Sequence, residues 1–271
     1  MCKSAWLAAI GLVFMAPAAA WPQHAPEIRV AYATYAAGLD VAAVSAAFAL
    51  QPHSYEMRLA YHTTGVVGLF LHGHQFNSVR GTWDGMQPEP KAFYGSGVWS
   101  GTKRLTVIDY QHGQPLVREL LPANHDERQP VPLDLQAHTM DTLSALALLM
   151  RQVADHGRCD ASVHTYDGRR ATEVASHTVR EEILPQTSRS IYSGPALRCD
   201  FEGRMLAGFK ISDDSPADRR PLHGSAWFAA PVPGELPLPV RMQFETRWFG
   251  EATMYLTAAG PAVAPLAENK P

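Results

Sequence analysis

The feature that most constrains this chain is a two-residue hydrophobic rhythm that fills most of its length and is interrupted once. Tyr55, Met57, Leu59, Tyr61 and Thr63 fall on one side of an extended segment, with Glu56, Arg58, His62 and Thr64 on the other. Near the C-terminus Val240, Met242, Phe244, Thr246 and Trp248 face one way, while Arg241, Gln243, Glu245 and Arg247 face the other. Gly250 then marks a tight turn, and residues 252–258 return as a second strand. One greasy and one wet face belong to antiparallel sheets, because parallel strands are buried on both sides. Further strands are expected at 28–36, 41–50, 73–83, 91–99, 104–110, 115–121, 160–166, 169–179, 189–202, 205–212 and 224–230.

The interruption is residues 141–156. Asp141 is a natural N-cap, Gly157 a natural C-terminal stop, and Ala and Leu dominate between them. Apolar residues cover most of the circumference from Leu143 to Met150, so this α-helix is expected to be buried rather than laid on a wet surface. The expected fold is mainly β: an antiparallel curved sheet or open barrel of roughly ten to thirteen strands, wrapped around or capped by that one apolar helix. Residues 21–258 would form a single β-rich domain and residues 259–271 a flexible tail. Two proline-rich connections interrupt the strands, at 122–138 and 231–239. The first carries Asn124-His125-Asp126-Glu127-Arg128, and a loop this long inside a domain is often functional or mobile.

Residues 1–20 read as a cleavable signal peptide. Lys3 is the only charge, residues 5–15 are apolar, and Ala18-Ala19-Ala20 supplies the small-residue exit before Trp21. The apolar run is shorter than the roughly 20 residues a spanning helix needs. A lipoprotein carries its acceptor cysteine after the apolar region, whereas Cys2 precedes it, so the mature protein is expected in the periplasm with no membrane anchor. Loss of Lys3 takes the formal net charge from −3 to −4, spread without blocks, and argues against a nucleic-acid partner.

Removal of Cys2 leaves Cys159 and Cys199 as the only pair. An oxidising compartment favours a bridge between them over two buried thiols, and a zinc site would need more ligands at closer spacing. The register raises a difficulty. A two-residue hairpin at Asp167-Gly168 puts Cys159 opposite Ser176, and a fold-back near Pro185 puts Cys199 opposite Arg170. A flat meander would then hold the sulfurs apart, so the bridge requires a bulge, strong curvature or another register.

The pattern as a whole resembles a known family. Asp141-Thr142-Leu143-Ser144-Ala145-Leu146, Gly157-Arg158-Cys159-Asp160, Tyr166-Asp167-Gly168-Arg169-Arg170 and Gly194-Pro195-Ala196-Leu197-Arg198-Cys199 occur in its order and spacing. So do Tyr35-Ala36-Ala37-Gly38-Leu39, Leu238-Pro239-Val240-Arg241 and Phe249-Gly250. Over about residues 32–258 the chain is similar to the bacterial domain of unknown function 3108 family. The resemblance implies an exported envelope protein of a Gram-negative bacterium with an antiparallel, barrel-like sheet, and it transfers no catalytic residues.

Enzyme signatures fail in turn. Gly95-Ser96-Gly97 lacks the full nucleophile elbow and its following helix, and no phosphate-binding or dinucleotide fingerprint occurs. No catalytic residue and no cofactor is therefore expected. His72 and His74 would leave one face of a strand and could share a metal, but no third ligand is evident, and solvent-facing polar residues are the simpler reading. His125-Asp126-Glu127 reads as a solvated charged turn. The pairs Arg169-Arg170 and Arg219-Arg220, the latter beside Asp218, could grip phosphate or carboxylate, but are read more simply as polar hairpin rims. Tyr55, Tyr61, Phe93, Trp99, Trp227, Phe244 and Trp248 either fill the interior as core or line a cavity, with packed core the default.

The expectation is a non-enzymatic protein that binds an apolar or amphipathic ligand, such as a lipid, which requires a cavity of at least roughly 300 Å³. The alternatives are an assembly factor that contacts envelope proteins through a strand edge or loop, and a hydrolase whose Ser, His and carboxylate groups converge from dispersed positions.

Overall fold

The structure, a computed structural model, describes residues 27–70, 72–211, 219–246 and 250–260. The signal peptide of residues 1–20, Trp21, Ser212, Asp218, residues 247–249 with Trp248, and the tail beyond 260 lie outside the described residues. Before the central helix come β1 (Ile28–Ala36), β2 (Leu39–Leu50), β3 (Ser54–Thr63), β4 (Gly73–Asp84), β5 (Gln87–Trp99), β6 (Thr102–Gln111) and β7 (Gln114–Leu121). A short helix, α1 (Gly65–Phe70), sits in the β3–β4 connection, where alternation gave no signal. After the central helix α2 (Thr142–His156) come β8 (Ala161–Tyr166), β9 (Ala171–Leu184), β10 (Gly194–Ala207), β11 (Leu222–Ala229), β12 (Leu238–Thr246) and β13 (Gly250–Ala259).

All thirteen strands belong to one antiparallel sheet, a nearly closed barrel. Each half is a meander, and the halves join where β1 pairs with β13, Thr34 lying opposite Met254. The two ends of the order, β7 and β8, are therefore consecutive strands separated in the chain by the long connection and α2. β1 shows why the sheet curls. Ile28, Val30, Tyr32, Thr34 and Ala36 are buried and every residue between them is half-exposed, so only one face seeks the interior.

Helix α2 plugs one end of the barrel. The Asp141 carboxylate accepts the Ser144 N–H at 3.0 Å, and Gly157 ends the helix at φ 64°, in the left-handed region that favours glycine. Leu143, Ala147, Leu148, Met150 and Val153 are buried, and the Leu, Met and Val side chains contribute up to roughly 1.5–3 kcal/mol of transfer free energy apiece. One polar chain pins the helix to the wall: the Tyr55 and Ser144 hydroxyls lie 2.7 Å apart, and Ser144 Oγ donates to Asp141 Oδ2 at 2.6 Å. Satisfied in this way, the buried Asp141 fixes the depth of the plug. Arg151 covers the Trp83 ring at 4.4 Å beside it.

Cys159 and Cys199 are bonded, with Cα atoms 6.2 Å apart. The register expected from the sequence is wrong at both turns, and the two corrections together with a bulge, one of the devices the sequence called for, bring the sulfurs level. The β8–β9 turn takes all of 167–170, because Asp167 Oδ1 accepts the N–H of both Arg169 and Arg170. Ser176 therefore pairs with Ala161 rather than Cys159. The chain folds back across residues 185–193 rather than at Pro185, and a bulge between Arg198 and Cys199 shifts the register by one more residue, so Cys199 pairs with Thr178. Thr178 Oγ1 also accepts the Cys159 N–H at 2.9 Å, and both cysteines converge on that residue.

The strand expected at 205–212 does not form separately over its described residues, 205–211. β10 continues through Gly203 to Ala207, since Val174 of the long β9 and Leu222 of β11 pair with that glycine from either side. The connection at 122–138 carries two short 3-10 turns and is pinned across the barrel mouth. Gln129 N–H donates to the Phe209 carbonyl and Ile211 N–H to that of Glu127.

Candidate functional site

At the end away from α2 the inward faces of the strands do not meet. Side chains in phase with the core on β3–β6 instead surround a polar cavity of about 600 Å³. Inward residues of β1, β2, β12 and β13, with Val67 of α1, surround an apolar one of about 520 Å³. Tyr61 and Trp99 line both. Glycines make the room. A Cβ at Gly73 would lie 2.5 Å from the Trp99 ring, so only glycine lets that indole lie flat on β4. Gly95 faces Asn77 across the strand pair and leaves the wall bare, since a Cβ there would come within 2.8 Å of the Asn77 amide oxygen. Gly95-Ser96-Gly97 thus lies within β5 and shapes a wall.

Among the described residues the apolar arm has no charged side chain. Val44, Phe244, Ala252 and Met254 supply its surface, with Thr34 and Thr63 contributing hydroxyls. In the polar arm a string of neutral groups runs along the wall: Tyr61 O–H donates to Gln75 Oε1 at 3.4 Å, and Gln75 Nε2 to Asn77 Oδ1 at 2.8 Å. Burial pushes the Tyr61 phenol up, opposed by the charges of Arg170 and Arg104.

Ionic contacts also close the seam beside this arm. Arg104 grips Glu127 with two bonds of 2.9 and 2.8 Å, and Arg169 Nη1 reaches the same carboxylate at 3.3 Å. The hydrogen bonds from Arg104 hold the Glu127 carboxyl below the usual carboxylate range. Arg169 Nη2 donates to the Leu121 and Pro122 carbonyls at 2.6 and 2.8 Å, tying the β8–β9 turn to the end of β7. Burial lowers the Arg169 guanidinium from its ordinary value, with Glu127 opposing the shift. Arg128 Nη1 donates to the Gly208 carbonyl at 2.7 Å. Around the arm stand five cationic side chains, Arg104, Arg128, Arg169, Arg170 and Lys210, against the three carboxylates Asp126, Glu127 and Asp167.

The structure separates residues that the sequence grouped. Arg170 is an exposed rim residue paired with Asp167 at 2.6 Å, whereas Arg169 is 8% exposed and is no rim. His125 and Asp126 are exposed, while Glu127 belongs to the seam. Tyr55 is core; Phe93, Tyr61, Trp99 and Phe244 touch one or both arms. Packed core is therefore the wrong default for this end of the barrel. Trp227 lies on the outer face, its indole N–H donating to Glu182 at 2.8 Å between the guanidiniums of Arg198 and Arg241. His72 and His74 are exposed, and no group of three or more metal-ligating side chains occurs among the described residues. Arg219 covers the Phe209 ring at 4.4 Å.

Among the described residues Ser, His and carboxylate groups do converge in a groove of about 470 Å³ on the outer face of β9–β13. There Ser225 Oγ donates to Asp200 at 2.6 Å, and neither His177 nor His223 hydrogen-bonds to that serine. A nucleophile–base pair requires that bond, so the groove has the residue types without the arrangement. The sequence reading missed Gln75, Asn77, Arg104 and Lys210. Three of them carried a signal: polar side chains in phase with inward Val79 and Ile108 on alternating strands.

A family model described as protein of unknown function (DUF3108) matches residues 28–257, from the start of β1 into β13. No curated protein matches the chain in sequence. Among solved structures, the crystal structure of a beta-barrel-like protein of domain of unknown function DUF1849 from Brucella abortus is similar, with a TM-score of 0.54. The two are 9% identical over 86% of this chain and 96% of that one, a likeness of fold alone. With the family model spanning nearly the whole barrel, the chain belongs to the DUF3108 family.

Proposed function

We propose that this protein is a non-enzymatic binding protein of the periplasm that holds an amphipathic molecule in the open end of its barrel. The observation that carries the reading is the meeting of a polar arm of about 600 Å³ and an uncharged apolar arm of about 520 Å³ at Tyr61 and Trp99. Each arm lies within the roughly 300–1,000 Å³ of small-molecule sites, and together they match a molecule with one wet and one greasy end. The plug α2 blocks the other end, so a ligand enters at the mouth ringed by α1 and the 122–131 segment. The leader pattern of residues 1–20 and the Cys159–Cys199 bridge support an oxidising, exported location.

The test is native mass spectrometry on mature protein purified from its own envelope, followed by solvent extraction. One extractable amphipathic molecule per chain is expected. A bare chain, both as purified and after incubation with envelope lipids, contradicts the reading.

A second reading rests on the β7 edge, which among the described strands pairs only with β6 and exposes Val117 and Leu121. An extended segment of an envelope protein could add a strand there. In-cell cross-linking from position 117 that recovers no protein counts against it.

A further inference from the structure

We infer that the ligand's polar end is an anion, a carboxylate or phosphate seated beside Lys210 in the polar arm. This rests on the amphipathic reading above and narrows it. Of the three carboxylates around the arm, Glu127 is taken by Arg104 and Arg169, Asp167 by Arg170, and Asp126 lies beside His125. Among the described residues five cations face these three, a positive excess. Lys210 is half-buried and has no ion-pair partner among the described residues. Its backbone is fixed, because residue 210 bridges to Arg128 on the pinned connection. A positive excess in a recess partly screened from water attracts an anion more strongly than the same charges on an open surface.

The neutral groups agree. Tyr61, Gln75 and Asn77 line the wall as hydrogen-bonding partners for head-group oxygens while adding no charge. The apolar arm offers no charged side chain among the described residues, so the polar arm is where a ligand charge is matched. A cationic amphipath would meet the excess as repulsion. A neutral one would leave Lys210 without the compensation that an anion supplies.

Calorimetric titration of the mature protein with dodecanoate, dodecyl phosphate, dodecanol and dodecyltrimethylammonium tests this, with inorganic phosphate as a fifth probe. The two anions should bind at least about tenfold more tightly than the alcohol, and the ammonium should not bind. The preference should shrink as salt rises. Lys210→Gln should lose most of the preference while its melting curve stays that of the wild type, and Lys210→Arg should restore it. Equal binding of dodecanoate and dodecanol overturns the anion inference and leaves the amphipathic reading standing. If none of the dodecyl compounds binds, the amphipathic reading falls as well. Inorganic phosphate binding as tightly as dodecyl phosphate assigns the arm to a free anion and overturns the lipid source.

Discussion

Replacement of Arg169 by alanine should cost about 2–4 kcal/mol of stability, and the structure shows where that figure comes from. The side chain is nearly buried and makes three charge-assisted contacts, to the Leu121 and Pro122 carbonyls and to Glu127. A hydrogen bond to a charged group contributes roughly 1.5–3 kcal/mol. Two features reduce the sum. Leu121 is 47% exposed, so water replaces part of what its carbonyl loses. Glu127 keeps both bonds from Arg104. Arg169→Lys retains the charge without the fork and should recover about half the loss. Urea unfolding followed by tryptophan fluorescence measures this, with the slope of free energy on urea unchanged. Hydrogen exchange should accelerate at the end of β7, where the latch is lost. A change in Arg169→Ala of less than about 0.5 kcal/mol, the size of an ordinary surface substitution, refutes the seam-latch reasoning.

Other parts of the molecule give equally direct expectations. Asp141→Ala removes the cap of α2 and the acceptor of the Ser144 hydroxyl, and should destabilise by about 1–3 kcal/mol in urea unfolding. Leu148→Ala opens a cavity in the fully packed plug and should cost about 2–5 kcal/mol by the same assay. Glu127 is held below the usual carboxylate range when folded, so its contribution is complete above the unfolded value of about 4.3 and is lost as pH falls through the folded one. The stability difference between wild type and Glu127→Gln should accordingly shrink in acid and stay level at neutral pH, as pH-dependent melting can show. Cys199→Ser opens a loop of sequence separation 40 and should lower stability by roughly 3–4 kcal/mol, seen as an earlier urea midpoint.

What was legible in the sequence is what local chemistry dictates. Period-two alternation located the strands because one face of each is buried, and Asp141 and Gly157 marked α2 because capping and left-handed backbone require those residue types. The cysteine pair was named for its compartment, yet its register was misread, since two turn lengths and a bulge at Arg198/Cys199 decide it. The Asp167 carboxylate lengthens one turn and residues 185–193 the other, neither of which alternation reveals. Arg169 and Arg170 are neighbours of identical chemistry, and only closure of the β7–β8 seam sends one inward. The cavity is a still more distant property. Whether Tyr61, Trp99 and Phe244 touch or stand apart depends on barrel width, which is set when β1 meets β13.

The claim at the centre of this account is that the two arms hold one amphipathic anion, and filling the apolar arm tests it most directly. Ala42 is half-buried on β2 and lines that arm, far from the seam contacts, so Ala42→Trp should block the tail site while leaving the charged arm and the barrel intact. Native mass spectrometry of the mature protein with dodecanoate should show one adduct on the wild type and none on Ala42→Trp. An adduct equally abundant on both, or absent from both, would contradict the account.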